Sequence, residues 1–356
     1  MISLMRIGHP PIATKGYISH IVNTVKIVSL NIKMQQQIFL SILIPTYNRP
    51  IELSKNLYII DSIFQGNNFN NEIEIIISDN CSNDDCRTSL NKFDFDDLNY
   101  TLFIQEQNIG ALNNCLFLLS KANGKFIMYL GDDDYLDTEY LNKIIPVLKK
   151  DESLHCVIPA TKSLYPSGEI TPGRDYGKKS KIFDKGFKNC LENSWRGTQL
   201  SAIICRREGL YETYLKQQVN NLYPFIYFIS FNCLRGKTWH MTEYPVTITQ
   251  MERSNHVDYG LANLVPDIYD NYKKLTGISY LQRASLEIKV LKEQPWRYLE
   301  YLKTRGLIGL ANFLNTVFQD KSTTFITKLL LPFIILKEIV YRIVLETVKF
   351  FKSSGH

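Results

Sequence analysis

The stretch Lys125-Phe-Ile-Met-Tyr-Leu-Gly-Asp-Asp-Asp-Tyr-Leu136 sets an apolar run of strand length directly against three adjacent carboxylates. A short continuous apolar segment bounded by a turn former fits a buried strand, and Gly131 supplies the turn former. Asp132, Asp133 and Asp134 would repel one another and raise each other's pKa, so the cluster is at ease either in full solvent or around a cation. Alone, Asp-Asp-Asp is commonly a solvated acidic turn. Hard divalent ions such as Mg²⁺ or Mn²⁺ take oxygen ligands and complete their shell with substrate phosphates, and the flanking sequence decides between the two.

Outward from this stretch, strand-like and helix-like patterns alternate from Phe39 to about Ala160. Phe39 to Ile44, Glu72 to Ser78, Tyr100 to Gln105, Phe126 to Leu130 and His155 to Ala160 read as strands. Residues 50–64, 110–121 and a segment from Thr138, with Glu139 in its first turn, to about Lys150 read as helices. The alternation predicts an α/β domain with a mostly parallel sheet and helices on both faces. Ligands of such open sheets bind outside the carboxyl ends of the strands, and each polar loop falls at such an end: Pro45-Thr46-Tyr47-Asn48-Arg49-Pro50, Asp79-Asn80-Cys81-Ser82-Asn83-Asp84, Gln107-Asn108-Ile109-Gly110 and Gly131 to Asp134. Singly, each is an ordinary turn or helix cap, with Ser82 or Asn83 as the capping residue. Jointly, they describe a binding crevice with an acidic metal site at its centre.

Composition narrows the partners. With 356 residues, 45% hydrophobic and 21% charged, the chain can build one large globular domain and an appendage. A net charge of +6 without dense basic runs favours anionic lipid or a phosphorylated substrate and speaks against nucleic acid. The seven cysteines form no CxxC pair and have no His at zinc-ligand spacing, so reduced thiols are expected. Tyr17 to Leu30 is interrupted by His20, Asn23, Thr24 and Lys26, which fits neither a signal peptide nor a spanning helix. Residues 1–38 hold Arg6, Lys15, Lys26 and Lys33 and no acid; they read either as a basic membrane-touching arm or as reading frame upstream of Met34.

Ser41-Ile-Leu-Ile-Pro-Thr-Tyr-Asn48, Ile75-Ile-Ile-Ser-Asp79-Asn80-Cys-Ser-Asn-Asp84, Asn108-Ile-Gly110 and Leu130-Gly-Asp-Asp-Asp134 resemble, in order and spacing, the family 2 glycosyltransferases of the GT-A fold. The resemblance covers roughly residues 39–250. The Ser-Asp-Asn start of the second loop and the Gly-Asp-Asp-Asp form are similar to the branch that includes bacterial O-antigen abequosyltransferases. It implies a domain over residues 39–255 that passes a sugar, a dideoxyhexose such as abequose among the options, from a CDP- or UDP-sugar donor to a lipid-linked glycan, at the cytoplasmic face of a bacterial membrane. Pro45, Thr46, Tyr47 and Asn48 would line the nucleotide pocket, Asp79 would accept a hydrogen bond from base or ribose, and Asn80 and Asn108 would shape the site. Asp132 to Asp134 would hold Mg²⁺ or Mn²⁺ against the diphosphate. The usual family pattern is Asp-x-Asp-Asp; Gly131 stands where its first Asp is expected, which points to Asp133 as main ligand, whereas counting Asp132-x-Asp134 points to those two.

The second half departs from the family. The acidic pair that commonly supplies a base corresponds to Asn220-Asn221, and an amide cannot take a proton from a sugar hydroxyl. Glu192, Glu212 and His240 are replacements to consider, each equally readable as a surface charge or a satisfied polar group. Gln199 to Cys205 reads as a strand; Trp195 reads as a sugar platform or, more simply, as a core Trp. Gln250-Met-Glu-Arg253 partly matches a family element near the diphosphate, with Arg253 and His256 as phosphate contacts or plain surface groups. Residues 256–356 read as a helical C-terminal region. In it, Lys337, Glu338, Arg342, Glu346, Lys349 and Lys352 interrupt an apolar helix, as in an amphipathic helix lying on a membrane or packed on its own domain. A non-catalytic nucleotide-sugar or glycan-binding relative of the fold is the alternative to an enzyme. A nucleotidylyltransferase would want a Gly-rich loop after the first strand, which Pro45-Thr-Tyr-Asn-Arg49 lacks.

Overall fold

The computed structural model describes residues 26–28, 38–65, 67, 69, 71–83, 98–250 and 265–353, with 26–28 and 348–353 as backbone alone. Among them, one ten-stranded sheet comprises β1 (Lys26–Val28), β2 (Leu40–Thr46), β3 (Ile73–Asp79), β4 (Tyr100–Ile104), β5 (Phe126–Tyr129), β6 (Leu154–Leu164), β7 (Ile170–Pro172), β8 (Lys181–Phe183), β9 (Ile204–Arg206) and β10 (Lys237–Thr249). The order is β1-β4-β3-β2-β5-β9-β6-β10-β8, with β7 paired to β6. Strands β4, β3, β2 and β5 run parallel, as do β6 and β10. Strand β9 is antiparallel to both β5 and β6, so the expected mostly parallel sheet carries one reversed strand at its middle.

Strand β2 is apolar from Ile42 to Pro45 because both its faces are covered, and its buried polar residues, Ser41 and Thr46, are hydrogen-bonded to Glu74 and Asp132. Leu40, Ile42 and Ile44 point into a core shared with Leu53, Leu57 and Ile60 of α1 (Pro50–Gln65) and with Tyr140, Leu141 and Ile144 of α3 (Tyr140–Lys150). The opposite face meets α2 (Ala111–Lys121): Phe103 packs edge-on against Phe117, and the Tyr129 hydroxyl donates to the Cys115 carbonyl at 2.7 Å. Of the described free cysteines all but Cys81 are buried. Strand β10 contains Pro245, which ordinarily argues against a central strand. The register shifts between Met241 and Val246 and takes the proline out of the ladder.

Contacts divide the chain into two compact units. One holds the sheet and comprises Met1–Lys185, Gln199–Lys216 and Arg235–Val257; the other comprises Gly186–Thr198, Gln217–Leu234 and Asp258–His356. The linear boundary expected near residue 255 leaves two short segments with the sheet that the contacts gather with the C-terminal helices. The second unit is built on α4 (Phe187–Asn193), α6 (Pro224–Cys233), α7 (Pro266–Lys274), α8 (Tyr280–Glu293), α9 (Trp296–Gln319) and α10 (Phe325–Ser353), while α5 (Leu210–Lys216) belongs with the sheet. All ten residues of α6 are buried, the pattern of a helix enclosed on every side. A Cβ on Gly197 would come within 2.6 Å of the Phe225–Ile226 backbone, so only glycine allows that approach. Gly306, at φ 60° and ψ −153°, kinks α9. No described helix is long and apolar enough to cross a membrane.

Candidate active site

The chain reverses direction across the sheet at β2 and β5, and this is where the acidic residues stand. Register pairs Thr46 with Asp79 and Asp79 with Ile104, so the carboxyl ends of β2, β3 and β4 lie side by side. Their loops are tied to one another. Both Asp79 oxygens accept from the Ser82 amide, at 3.3 and 3.1 Å, and the Ser82 hydroxyl also donates to Asp79. The Asn48 amide donates to Ser82 Oγ at 2.7 Å, and Asn48 Oδ1 receives the Asn83 amide at 2.9 Å. Asn48 at φ 55° and Cys81 at φ 65° make the turns possible. Asn80 Nδ2 donates to Asn108 Oδ1 at 3.0 Å, and Asn80 Oδ1 accepts the Ile109 amide at 2.9 Å. Asp79, Asn80 and Asn108, expected from the sequence to shape the pocket, thus brace the loops, and Pro45 and Tyr47 are partly buried beside exposed Asn48.

The three carboxylates divide into a pair and a single. Asp132 accepts from Thr46 Oγ1 at 2.8 Å and from Arg49 Nη1 at 3.2 Å, and the same nitrogen donates to Asp133 Oδ2. Asp134 turns the other way, accepting from the Ser201 hydroxyl and from the Thr249 amide at 3.0 Å. The Thr249 hydroxyl donates to the Asp133 carbonyl. Asn56 Nδ2 holds the Gly131 carbonyl at 2.8 Å, and Ser201 Oγ accepts the Gly131 amide at 2.9 Å. A Cβ on Gly131 would sit 2.8 Å from Asp134 Oδ2 and 3.3 Å from Ser201 Oγ, so any larger residue here would have to shift the Asp134 side chain.

Burial dominates the electrostatics. It pushes Asp132 up to about 6, against the pull of Arg49 and with help from Asp133. Asp134 rises to about 7, again chiefly by burial, opposed by the Ser201 hydrogen bond. Burial alone would lower Arg49, yet Asp132 and Asp133 outweigh it and hold its proton more firmly. Among the described residues no three carboxylate, histidine or cysteine groups converge as a ready metal cage. Mg²⁺ in phosphate sites is ordinarily held by only one or two carboxylates plus the phosphates. Asp132 and Asp133, already gathered about one positive charge, fit that requirement, the guanidinium standing where a cation's charge would.

Arg49 is therefore expected to behave as a counter-charge. Arg49→Met should cost about 1–3 kcal/mol in the absence of divalent ions, by leaving two facing carboxylates unpaired. Thermal melting with and without Mn²⁺ checks this: the ion should restore most of the loss, and a variant that melts like the parent would refute the role.

The remaining sequence candidates lie elsewhere or are occupied. Glu212 sits at the opposite, amino edge of the sheet, on a cavity of about 500 Å³ lined also by Phe39, Gly124, Lys125, Arg206 and Arg207. His240 is buried mid-strand in β10, its Nε2 3.2 Å from Asp175 Oδ2. Glu192 belongs to the helical unit and pairs with Lys289 at 3.1 Å. Trp195 is buried, its indole N–H donating to the Glu192 carbonyl and the Arg196 guanidinium lying 4.5 Å over its ring, which is the core reading. Asn220 is exposed; Asn221 is buried, with Nδ2 on Asp270 at 3.2 Å and Oδ1 accepting from Tyr223 N and Asn271 Nδ2. Asp84, Arg253 and His256 lie outside the described residues. The predicted strand Gln199 to Cys205 is only Ile204–Arg206, because Ala202 at φ 59° turns the chain and delivers Ser201 to the rim. Ser201 and Thr249 carry no sequence signal for this task, whereas Arg49 lies within a loop whose position already marked it.

Residues 41–213 match the profile of glycosyl transferase family 2. Abequosyltransferase RfbV of Salmonella typhimurium is 25% identical over 277 residues, covering 73% of this chain and 82% of that protein. A GalNAc(5)-diNAcBac-PP-undecaprenol beta-1,3-glucosyltransferase of Campylobacter jejuni is 31% identical over 154 residues, covering 42% of this chain and 47% of that one. Among solved structures, S. aureus TarS 1–349 in complex with UDP-GlcNAc superposes with a TM-score of 0.60 at 16% identity, over 79% of this chain and 80% of that one.

Proposed function

Because residues 41–213 identify the chain as a family 2 glycosyltransferase with the GT-A fold, we propose that it moves a sugar from a nucleoside-diphosphate donor to a lipid-linked oligosaccharide during assembly of an O-antigen-type glycan. The observation that carries this reading is the Asp132–Arg49–Asp133 grouping beside Thr46, at the edge where open sheets take nucleotides. A CDP- or UDP-sugar would lie along the Pro45–Asn48 loop, its base against Tyr47, on a floor stiffened by Asp79, Asn80 and Asn108. Mg²⁺ or Mn²⁺, held by Asp132 and Asp133 with Asp134 behind them, would offset the charge that develops on the departing diphosphate. Thr46 fixes Asp132, and Ser201 with Thr249 fixes the backbone turn that aims Asp133. The lipid side of the reading is supported by the undecaprenol-linked acceptor in the name of the Campylobacter relative, and with an acceptor of that kind the enzyme would work at the inner face of the cell membrane.

A binding-only role is favoured by one observation: Asn221, where the family commonly has its base, is fully engaged in structural hydrogen bonds. Donor turnover separates the two readings. With Mn²⁺ and a panel of UDP- and CDP-sugars, hydrolysis or transfer is expected for at least one donor; stabilisation of the fold by a donor with no turnover would leave only the binding role.

The raised carboxylates give this assay a pH signature. Folded Asp132 and Asp134 keep protons to about 6 and about 7, while an unfolded Asp releases its proton near pH ~4. These groups therefore make the ion-free fold less stable as pH rises from ~4 towards ~7. A divalent ion needs the deprotonated form, so the Mn²⁺-induced rise in melting temperature should be large at alkaline pH and small in mild acid. An equal rise at both would show that the ion binds elsewhere.

A further inference from the structure

Helix α10 is apolar on two opposite sides, and only one of them is covered. Thr327, Leu331 and Ile335 are buried, with Leu331 and Ile335 forming an apolar inner stripe. Phe325, Leu329, Phe333, Leu336, Val340 and Ile343 follow one another at helical spacings of three and four on the outside, each 50–72% exposed. A helix that has already packed its apolar face normally turns charge to solvent, and an exposed apolar strip of this extent marks an interaction surface. The kink at Gly306 adds a second exposed element in the same unit, with Leu307 and Ile308 each more than three-quarters exposed beside Lys303. Residues 296–356 carry nine Lys and Arg against four Asp and Glu, an excess of five in a chain whose net charge is +6.

This charge selects the occupant. Two copies meeting through the stripe would bring like-charged borders together across a two-fold contact, whereas an anionic bilayer attracts them. Since no described helix is long and apolar enough to cross a membrane, α10 would lie in the plane of the interface. We propose that the outer stripe of α10, bordered by Lys328 and Lys337 and assisted by Leu307 and Ile308, is an interfacial docking surface for anionic phospholipid. The inference rests on the reading that the acceptor is lipid-linked, and it assigns the face that brings the enzyme to it.

The test uses the full chain with vesicles of phosphatidylcholine alone and of phosphatidylcholine mixed with phosphatidylglycerol, followed by co-sedimentation. Binding is expected to the mixed vesicles, weakening with salt and much lower on the neutral ones. The double variant Phe333→Glu, Leu336→Glu should reduce the partition coefficient by about a hundredfold, and Lys328→Ala and Lys337→Ala by about fivefold each. Because Phe333, Leu336 and Lys337 are exposed, their substitution should leave the melting temperature unmoved, whereas Lys328→Ala also removes a hydrogen bond to the Asp320 carbonyl at 2.7 Å and is compared below its own melting transition. Parent protein that ignores the mixed vesicles, binding unchanged in the double variant, or a solution dimer that the double variant dissociates would each overturn the proposal, the last in favour of a second copy. Donor hydrolysis in lipid-free solution, measured on the same preparations, keeps the two readings apart: turnover without vesicle binding refutes the surface alone, and vesicle binding without turnover refutes the transferase alone.

Discussion

Asp132→Asn is expected to lower sugar transfer about a thousandfold, the scale of losing one preorganised electrostatic group in an active site, while leaving the protein at least as stable as its parent. The two halves follow from one fact. Asp132 is only 6% exposed, and its carboxyl is pushed up to about 6 chiefly by burial, so in the ion-free fold its charge is a liability. Asparagine has the same shape, still accepts from Thr46 Oγ1, and leaves Arg49 its partner Asp133. It cannot supply a negative oxygen to a divalent ion. Turnover and melting temperature measured side by side decide the matter: a variant that loses stability and activity together would mean that Asp132 serves mainly to hold the loop, and one that keeps its turnover would remove the site assignment.

Glu287→Ala should have the largest effect on stability, about 3–5 kcal/mol within the helical unit. Glu287 is completely buried; it accepts from Arg283 Nε at 3.0 Å, from the Thr324 amide at 3.0 Å and from the Thr324 hydroxyl at 2.6 Å. Thr324 in turn accepts from the Thr327 amide at 3.3 Å at the head of α10. Removing the carboxylate leaves the Thr324 amide without its acceptor and Arg283 with only the Ser322 carbonyl as partner, so the cost is that of breaking a buried pair, not of losing one exposed hydrogen bond. Hydrogen exchange over α8 and the first turns of α10 would report it, since a local opening shows there first. Protection unchanged by the substitution would show that solvent readily replaces Glu287.

The parts of this molecule that were legible in its sequence are those held by burial. β2, β3 and β5 read as apolar runs because both faces of the sheet are covered, and α1, α2 and α3 read as periodic because one face is. The strand read over Gln199 to Cys205 was only partly right: Ala202, Ile203, Ile204 and Cys205 are buried, yet Ser201 and Ala202 form a turn and the strand begins at Ile204. Strand β10 was hidden by Pro245, whose place in a register shift no local pattern reveals. At the site, the loops and acids were readable because they stand at strand ends, whereas Ser201 and Thr249 are common polar residues 67 and 115 positions from Asp134. Only folding makes them its partners. Arg49 shows the intermediate case, since its loop was recognisable and its pairing across 83 residues to Asp132 was not.

Strand β9 lies between β5 and β6 although the ribosome delivers it after both. Until it arrives, β5 has an open edge, the kind of template on which nascent chains pair wrongly. At synthesis rates of ~5–20 residues per second, the 115 residues from Asp134 to Thr249 take on the order of ten seconds to appear. The acidic rim is consequently a late product of translation, and the interval before its closure is when this chain most needs a chaperone.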